Sequence, residues 1–294
     1  MRDHAPYPPT DQPPDPACPT LDADAQVLAD AAQEAAELAM SYFRGGVTAW
    51  EKRAGDPVSD ADMAVDSLLK ERLTGARPGY GWLSEETEDA PDRLRCGRLW
   101  IVDPIDGTRA FLRGGTDWGV SLALVQDGVP VLAIMAAPAR NALYSARLGR
   151  GATCNGTPIR VSGQDRLNEA RMIGDPDAFR SRRLWPKPWP AAMTTHAINS
   201  MALRLCLVAD GESDCCVTLR PKNDWDVAAA DLILREAGGA ITTGEGAPLT
   251  YNARKPLHAH IVAGTPALMP ALMNRVDPAL KHWTENQPKG LRRP

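Results

Sequence analysis

The segment Trp100-Ile101-Val102-Asp103-Pro104-Ile105-Asp106-Gly107-Thr108 passes from an apolar run to two carboxylates, a proline and a glycine. The apolar residues predict a buried strand, and because proline cannot donate to a strand ladder, we expect both aspartates on a turn beyond its end. Two neighbouring carboxylates repel each other unless a cation lies between them, and hard oxygen ligands suit Mg2+. The segment therefore predicts a metal-binding turn, with a turn that merely caps a helix as the alternative.

Further acidic residues stand at the ends of other predicted elements. Glu85-Glu86 follows the apolar Trp82-Leu83, and Asp224-Trp225-Asp226 precedes a helical pattern. Upstream, Ser59-Asp60-Ala61-Asp62 opens an amphipathic stretch. Taken singly, each of these acids is a routine N-cap or solvated pair. Their combination favours a shared metal site.

These stretches together resemble the Mg2+-dependent, lithium-sensitive phosphomonoesterases typified by inositol monophosphatase. The segment 103–108 is close to that family's first signature, and residues 225–239 are similar to its second. Glu85-Glu86-Thr87, Ser59-Asp60-Ala61-Asp62 and the glycine-rich stretch 149–156 match three further family elements in order and spacing. The resemblance spans residues 22 to 265.

The resemblance implies a mixed α/β (α+β) fold, a layered α-β-α-β-α sandwich. In it an N-terminal α+β half contains an antiparallel sheet, a C-terminal half is α/β, and the active site lies between them. The change in pattern after Ser162 agrees, and predicts a domain over 21–164 and another over 165–285. Residues 1–20, rich in proline, and 286–294 are predicted to be tails, the first of them disordered and neither with a catalytic part.

The family's ligand positions fall on six residues of this chain. The resemblance implies a first metal on Glu85, Asp103 and the carbonyl of Ile105. Asp103 would bridge to a second metal that Asp106 and Asp226 also hold. A third, weaker Mg2+ would use Glu85 and Asp62. The expected cofactor is thus two to three Mg2+ per site, with Li+ as an inhibitor.

The same resemblance assigns the catalytic and substrate contacts. Glu85, Thr108 and Asp62 are the expected catalytic residues, with Glu85 and Thr108 orienting a water for in-line attack. The amides of Gly107 and Thr108, at a helix N-terminus, would hold the phosphate. Expected substrate contacts are Gly107, Thr108, Arg109, Ser200, Arg204 and Asp226.

Substrate choice rests on two departures from the inositol-selective relatives. Those relatives usually continue Asp-Gly-Thr with Thr-Asn-Phe, whereas this chain has Arg109-Ala110-Phe111. They also carry an acid shortly before the second signature, where this chain has Arg220 and Lys222. A guanidinium at Arg109 could engage a second phosphate, and Arg204 resembles a basic residue of nucleotidases. Each of these cations could equally be a surface charge.

These features favour a 3'(2'),5'-bisphosphate nucleotidase acting on 3'-phosphoadenosine 5'-phosphate. Inositol monophosphatase acting on inositol 1-phosphate is the close alternative, and histidinol phosphatase and sugar bisphosphatase remain open. A catalytically silent binding module is the rival from another class. Loss of a ligand carboxylate would mark such a module, and every expected carboxylate is present.

Composition narrows the partners more than the reaction. The formal charge of −4 argues against binding a nucleic acid polymer. No apolar run approaches the length of a membrane span or signal-peptide core, so we expect a cytoplasmic protein without a membrane partner. The six cysteines lack paired spacing and predict free thiols. The expected partner is a small phosphate ester, and the resemblance implies a homodimer.

The pattern also predicts individual elements. A long helix begins with Asp22 as its cap and ends at Gly45-Gly46, and further helices cover 197–209 and 225–239. Antiparallel strands are expected over 120–125, 129–135 and 143–146, with Gln126-Asp127-Gly128 as a hairpin turn. A late strand over 257–263 contains His258 and His260, which are expected to be structural. Trp185 and Trp189 belong to a loop that either packs on the body or lines a substrate entrance.

Overall fold

A computed structural model describes residues 19–53 and 56–286 of the chain. Its helices are α1 Leu21–Gly45, α2 Asp60–Ala76, α3 Thr108–Leu112, α4 Pro176–Arg180, α5 Met201–Ala209, α6 Asp224–Glu236 and α7 Met269–Asn286. Its strands are β1 Ala49–Arg53, β2 Asp56–Ser59, β3 Gly81–Ser84, β4 Arg98–Asp106, β5 Gly119–Gln126, β6 Val129–Ala137, β7 Ala142–Arg147, β8 Gly151–Cys154, β9 Thr157–Pro158, β10 Arg171–Ile173, β11 Thr194–His196, β12 Cys215–Thr218, β13 Lys222–Asn223, β14 Ala240–Thr243, β15 Leu257–His258 and β16 Ile261–Gly264.

The larger sheet has seven strands in sequence order, β3 to β9. Only β3 and β4 pair in parallel, and every later pair is antiparallel. Asp127 and Gly128, with φ of 50° and 82°, form the tight turn between β5 and β6. The predicted antiparallel sheet and its hairpin are therefore confirmed, with strand ends that differ by one or two residues.

The smaller sheet has five strands in the order β11-β10-β12-β16-β14. Strand β10 pairs in parallel with β11 and β12, whereas β16 pairs antiparallel with β12 and β14. Two small two-stranded sheets lie outside both of these sheets: the hairpin β1–β2, and the antiparallel pair of β13 with β15. Strand β13 leads directly into α6, which carries the second acidic signature.

Alternation along the strands divides the core into three layers. Trp100 and Val102 of β4 pack with α1 and α2 on one face of the larger sheet. Leu99 and Ile101 pack on the opposite face with α5 and α6, which also contact the smaller sheet. The far face of the smaller sheet packs on α7. The resulting order of layers is the predicted α-β-α-β-α sandwich.

A buried carboxylate ties α1 to the larger sheet. Asp24 is fully buried and accepts hydrogen bonds from Arg77 Nε at 2.6 Å, Tyr80 Oη at 2.9 Å and Arg98 Nη1 at 2.7 Å. Arg98 also donates to the carbonyl of Pro19 at 2.7 Å. Because each oxygen of the carboxylate has a donor, its charge is compensated in the interior.

Three predicted element boundaries were wrong. Helix α1 is capped by Thr20, whose hydroxyl accepts from Ala23 N, and not by Asp22, which lies in the first turn. Helix α5 starts at Met201 and not at residue 197, because Ser200 adopts an extended conformation and caps it. The expected strand 257–263 is two strands, β15 and β16, which belong to different sheets.

Several other expectations concern the termini and the thiols. The predicted tails lie almost wholly outside the described residues, which begin at 19 and end at 286. The boundary near residue 165 stays a prediction. The five cysteines within the described ranges are free thiols, as expected. In the part of the chain that the structure describes, every helix is too short or too polar to cross a membrane.

Candidate metal centre and substrate cavity

Asp103 and Asp106 lie within β4, and not beyond its end as the sequence suggested. The pairing of β4 with β5 shifts register between Asp103 and Asp106. Pro104 lies within this irregularity, so β4 can continue although proline has no N–H to donate to the neighbouring strand. Gly107 follows with φ of 99°, and a Cβ there would meet the carbonyl oxygen of Asp117 at 2.5 Å. Only glycine fits this position without displacing backbone.

A third aspartate joins this pair from the other half of the chain. Oxygens of Asp103, Asp106 and Asp226 all lie within 4.8 Å of one another. Asp103 and Asp106 are buried, and Asp226 is half-buried at the N-terminus of α6. We call these three residues the aspartate cluster. All of its donors are carboxylate oxygens, which suits a hard divalent cation such as Mg2+.

The protein interior opposes negative charge in the aspartate cluster. Burial raises the pKa of Asp103 well above its ordinary value, and the carboxylates of Glu85, Asp106 and Asp226 raise it further. Burial and the charge of Asp226 also raise the pKa of Asp106. Acids with no cation among them therefore hold their protons more tightly, and a bound cation would reverse that preference.

Local hydrogen bonds orient two members of the aspartate cluster, Asp106 and Asp226. Asp106 accepts from the hydroxyl of Ser200 and from the amides of Met201 and Ala202, at 3.1 and 2.6 Å, at the start of α5. Asp226 accepts from the Asn223 amide at 2.7 Å in a capping box. Helix N-termini thus orient two of the three carboxylates and favour their charge.

Glu85 lies directly after β3. Because Ser84 pairs with Val102 in the parallel register of β3 and β4, the residues that follow them, Glu85 and Asp103, lie beside each other. The Glu85 amide donates to the carbonyl of Val102 at 3.3 Å. Its carboxylate accepts from Lys52 Nζ at 3.1 Å, and Glu86 accepts from the same ammonium at 2.7 Å. Burial raises the pKa of Glu85 to about 7, with Lys52 opposing the shift.

Lys52 was missed by the sequence reasoning. Lys52 belongs to β1 of the hairpin β1–β2. Its ammonium contacts the carboxylates of Glu85 and Glu86, which come more than thirty residues later in the sequence. Burial alone would lower its pKa, but Glu85 and Glu86 outweigh burial and raise it. An ammonium next to Glu85 neutralises charge that a metal ion would otherwise compensate.

Asp62 links the start of α2 to the turn after β4. Its Oδ2 accepts from the Ser59 amide and hydroxyl at 2.8 and 2.6 Å, and its Oδ1 accepts from Thr108 Oγ1 at 3.3 Å. The Thr108 hydroxyl also lies 3.1 Å from the carbonyl oxygen of Ile105. The Thr108 hydroxyl thus contacts both Asp62 and the Ile105 carbonyl, and the roles expected for these residues stay predictions.

A cavity of about 820 Å³ opens beside the aspartate cluster. One part of its lining is cationic, and we call it the cationic wall: Arg109, Arg113, Arg204, Arg220 and Lys222. Lys222 Nζ lies 3.4 Å from Asp226 Oδ1, so this residue joins the cavity to the cluster. Arg113, one helical turn after Arg109, was not identified from the sequence.

Two predicted substrate contacts have further partners. Ser200 is fully buried, donates to Asp106 and accepts from the Leu203 amide at 2.9 Å. Arg204 donates through Nε to the carbonyl of Ile198 at 2.6 Å while it lines the cavity. Ser200 therefore orients a cluster carboxylate, and its contact with substrate stays a prediction.

The two loop tryptophans pack together with Phe179. Trp185 is 3% exposed, its ring centroid lies 4.9 Å from that of Trp189, and its Nε1 donates to Ala178 O at 3.0 Å. Packing of this loop onto the body was one of two interpretations of the sequence. Trp185 and Phe179 also line the cavity.

His258 and His260 take separate positions. His258 is buried, with Nε2 at 2.9 Å from Asp224 Oδ1, and His260 Nδ1 lies 3.0 Å from the carbonyl oxygen of Leu219. Neither joins the aspartate cluster. This arrangement agrees with the structural role expected for both.

The fold and this cluster define a class of metal-dependent phosphatases. The model of the inositol monophosphatase family matches residues 21–279, and the chain belongs to that family. It is 33% identical to the 3'(2'),5'-bisphosphate nucleotidase CysQ of Aggregatibacter actinomycetemcomitans over 78% of this chain and 88% of that one. It is 36% identical to a histidinol-phosphatase of Mycobacterium tuberculosis over 65% of this chain and 75% of that one.

A solved structure supports the same assignment. The IMPase of Thermotoga maritima superposes with a TM-score of 0.73 at 29% identity, over 89% of this chain and 98% of that one. The protein is therefore an enzyme of the phosphatase class. The relatives act on different phosphate esters by name, so family membership alone leaves the substrate open.

Proposed function

We propose that this protein is a Mg2+-dependent phosphomonoesterase that hydrolyses small phosphorylated metabolites. The observation that carries the proposal is the meeting of Asp103, Asp106 and Asp226 within 4.8 Å of one another, from two halves of the chain, beside a cavity of about 820 Å³. Buried acids whose pKa values are raised by one another are typical of functional sites.

The ligand sets follow the family positions. We assign Glu85, Asp103 and the Ile105 carbonyl to a first Mg2+, Asp103, Asp106 and Asp226 to a second, and Glu85 with Asp62 to a third. The ions would place positive charge against the phosphoryl oxygens and lower the pKa of a bound water, so the reaction needs no histidine base. Inhibition by Li+ belongs to the same proposal.

Protein groups then orient the reactants. Thr108 and Glu85 hold the attacking water, and Asp62 fixes the Thr108 hydroxyl by the contact at 3.3 Å. The amides of Gly107 and Thr108 bind the phosphate. The direct product of this attack is inorganic phosphate and an alcohol, without a covalent phosphoenzyme.

For the substrate we propose a 3'(2'),5'-bisphosphate nucleotide, with 3'-phosphoadenosine 5'-phosphate as the representative. The cationic wall supports this choice, because its guanidinium groups Arg109, Arg113 and Arg220 offer donors to a second phosphate beyond the cluster. The relative named as a bisphosphate nucleotidase supports it as well. Inositol 1-phosphate is the second candidate, on the strength of the superposition on an IMPase.

We propose a cytoplasmic enzyme, in keeping with its free thiols, that acts on small molecules and not on nucleic acid or membranes, and that forms a homodimer. We also propose a division into two domains near residue 165. In chain order, the last strand of the larger sheet ends at Pro158 and the first strand of the smaller sheet begins at Arg171.

A metal and substrate experiment tests the reaction. We expect purified protein to hydrolyse phosphomonoesters with Mg2+, to lose turnover in EDTA, and to lose at least about 100-fold in kcat/KM in the Asp103→Asn variant. Asp277→Asn, which removes an exposed acid of α7 paired with Lys281, is the matched control. Undiminished turnover of Asp103→Asn or Asp106→Asn would contradict the ligand assignment.

A substrate panel tests the finer choice. We expect kcat/KM for 3'-phosphoadenosine 5'-phosphate to exceed that for inositol 1-phosphate, histidinol phosphate and fructose 1,6-bisphosphate. A higher value for inositol 1-phosphate would favour the second candidate. No turnover of any of the four, with Mg2+ bound, would favour the silent binding module.

A further inference from the structure

We propose that Asp66 is a positioning residue that fixes the turn carrying Glu85 and thereby sets the affinity of the site for Mg2+. The inference rests on the proposed function, because Glu85 is a metal ligand only in that proposal. Asp66 lies in α2, is 5% exposed, and is outside every ligand set assigned above.

The carboxylate of Asp66 spans the turn 84–87. Its Oδ1 accepts from the hydroxyl of Ser84, at the end of β3, and its Oδ2 accepts from Thr87 Oγ1 at 2.6 Å. The Ser84 hydroxyl lies 3.4 Å from the Glu86 amide. One buried side chain therefore binds the residue before and the residue after Glu85-Glu86.

This attachment fixes the backbone of the turn from which Glu85 projects, while Lys52 contacts the Glu85 carboxylate itself. On one side of the turn, the pairing of Ser84 with Val102 places Glu85 next to Asp103. On the other side, Thr87 belongs to no strand or helix, and its hydroxyl ties the turn to α2 by donating to Asp66. Without Asp66, the turn would keep its anchor to β4 but lose its anchor to α2.

Helix α2 supports two parts of the site from one face. Asp62 and Asp66 are four residues apart, so their side chains lie one above the other on the helix. Asp62 contacts Thr108 at 3.3 Å, and Asp66 holds the Glu85 turn. Helix α2 therefore holds in place two groups that follow different strands, Thr108 after β4 and Glu85 after β3, which is the role of an outer-shell partner.

The test is Mg2+ binding to the metal-free protein, measured by calorimetry and independent of turnover. Asp66→Asn and Asp66→Ala should raise the dissociation constant for Mg2+ by about 10- to 100-fold, as loss of an outer-shell partner does. Asp66→Glu, which keeps the carboxylate, should restore most of the affinity. Thr87→Val should shift it in the same direction by a smaller factor.

Asp214→Asn is the matched control. Asp214 is 1% exposed and likewise accepts from a hydroxyl, Ser162 Oγ at 2.6 Å, and from the Arg171 amide at 2.7 Å, and both partners are outside the proposed ligand sets. This variant should lower the melting temperature and leave Mg2+ affinity at the wild-type value.

The outcomes separate this inference from the proposed function. Wild-type Mg2+ affinity in folded Asp66→Asn overturns the positioning role alone. Should the Asp66 variants fail to fold, unchanged affinity in Thr87→Val overturns it equally. A wild-type chain that binds no Mg2+ removes the proposed function and this inference with it.

Discussion

At the residue scale, Glu85 reports the electrostatics of the site through pH. Its carboxyl has a folded pKa of about 7 against an ordinary 4.5, chiefly because it is buried. When a carboxyl has a higher pKa in the folded protein than in the unfolded chain, its contribution to stability is complete at a pH below the pKa of the unfolded chain. This contribution is lost as the pH rises through the pKa of the folded protein. The relevant window for the metal-free protein is therefore pH 4.5 to 7.

We expect the melting temperature of metal-free wild type to fall relative to that of Glu85→Gln as pH rises across this window. Glutamine carries no charge to desolvate, so the variant lacks this dependence. Thermal denaturation of both proteins in EDTA, in buffers from about pH 4.5 to 8, measures the difference. A difference that stays constant with pH contradicts the buried, raised carboxyl.

The residues of the site were predictable where their chemistry is local in sequence. Asp103, Asp106 and Gly107 stand within one short segment, so their shared chemistry is visible without a fold. Asp226 was placed only by resemblance to a second signature, and the structure brings it within 4.8 Å of the first pair. Lys52 has no such signal, because a lysine in an exposed hairpin has the same sequence pattern whether or not it reaches Glu85.

At the element scale, α1 depends on one buried acid. Asp24 accepts from Arg77, Tyr80 and Arg98, and its removal takes the carboxylate away from two partly buried guanidinium groups. We expect Asp24→Ala to lower the free energy of unfolding by about 3 kcal/mol, because removal of one partner from a buried ion pair typically costs roughly that much or more. Chemical denaturation with Mg2+ present measures this loss.

The control for α1 is Asp30→Ala on the same helix. Asp30 is exposed and accepts only a surface hydrogen bond from Gln26 at 2.8 Å, so its loss should change stability by less than about 0.5 kcal/mol. Below the melting transition both variants should keep the wild-type Mg2+ affinity. Equal destabilisation by the two variants would show that Asp24 is not the anchor of α1.

Element boundaries were predicted less well than element types. Helix α5 begins at Met201 because Ser200 caps it and Asp106, almost a hundred residues earlier, accepts from its first amides. That partner is invisible in the local sequence, where the apolar Ala197 and Ile198 precede Asn199 and Ser200. The strand expected over 257–263 likewise divides because its two ends pair with different sheets.

At the scale of the whole molecule, net charge and local charge have opposite signs. The chain carries a formal charge of −4, yet the cavity beside the aspartate cluster has a cationic wall of four arginines and one lysine. Composition could not show this, because it reports the sum of charges and not their placement. A phosphate substrate is attracted by the field of the cavity, which salt screens, and not by the net charge.

Arg113 tests whether the cationic wall selects a second phosphate. We expect Arg113→Met to lower kcat/KM for 3'-phosphoadenosine 5'-phosphate by about tenfold, since a hydrogen bond to a charged group contributes roughly 1.5–3 kcal/mol. Turnover of inositol 1-phosphate, which has one phosphate, should change by less than about twofold because the same bond is absent. Arg95→Met is the control, because Arg95 is 87% exposed and pairs only loosely with Asp92 at 3.8 Å. An equal loss for both substrates would mean that Arg113 attracts anions in general, and the choice of a bisphosphate would then lose its structural support.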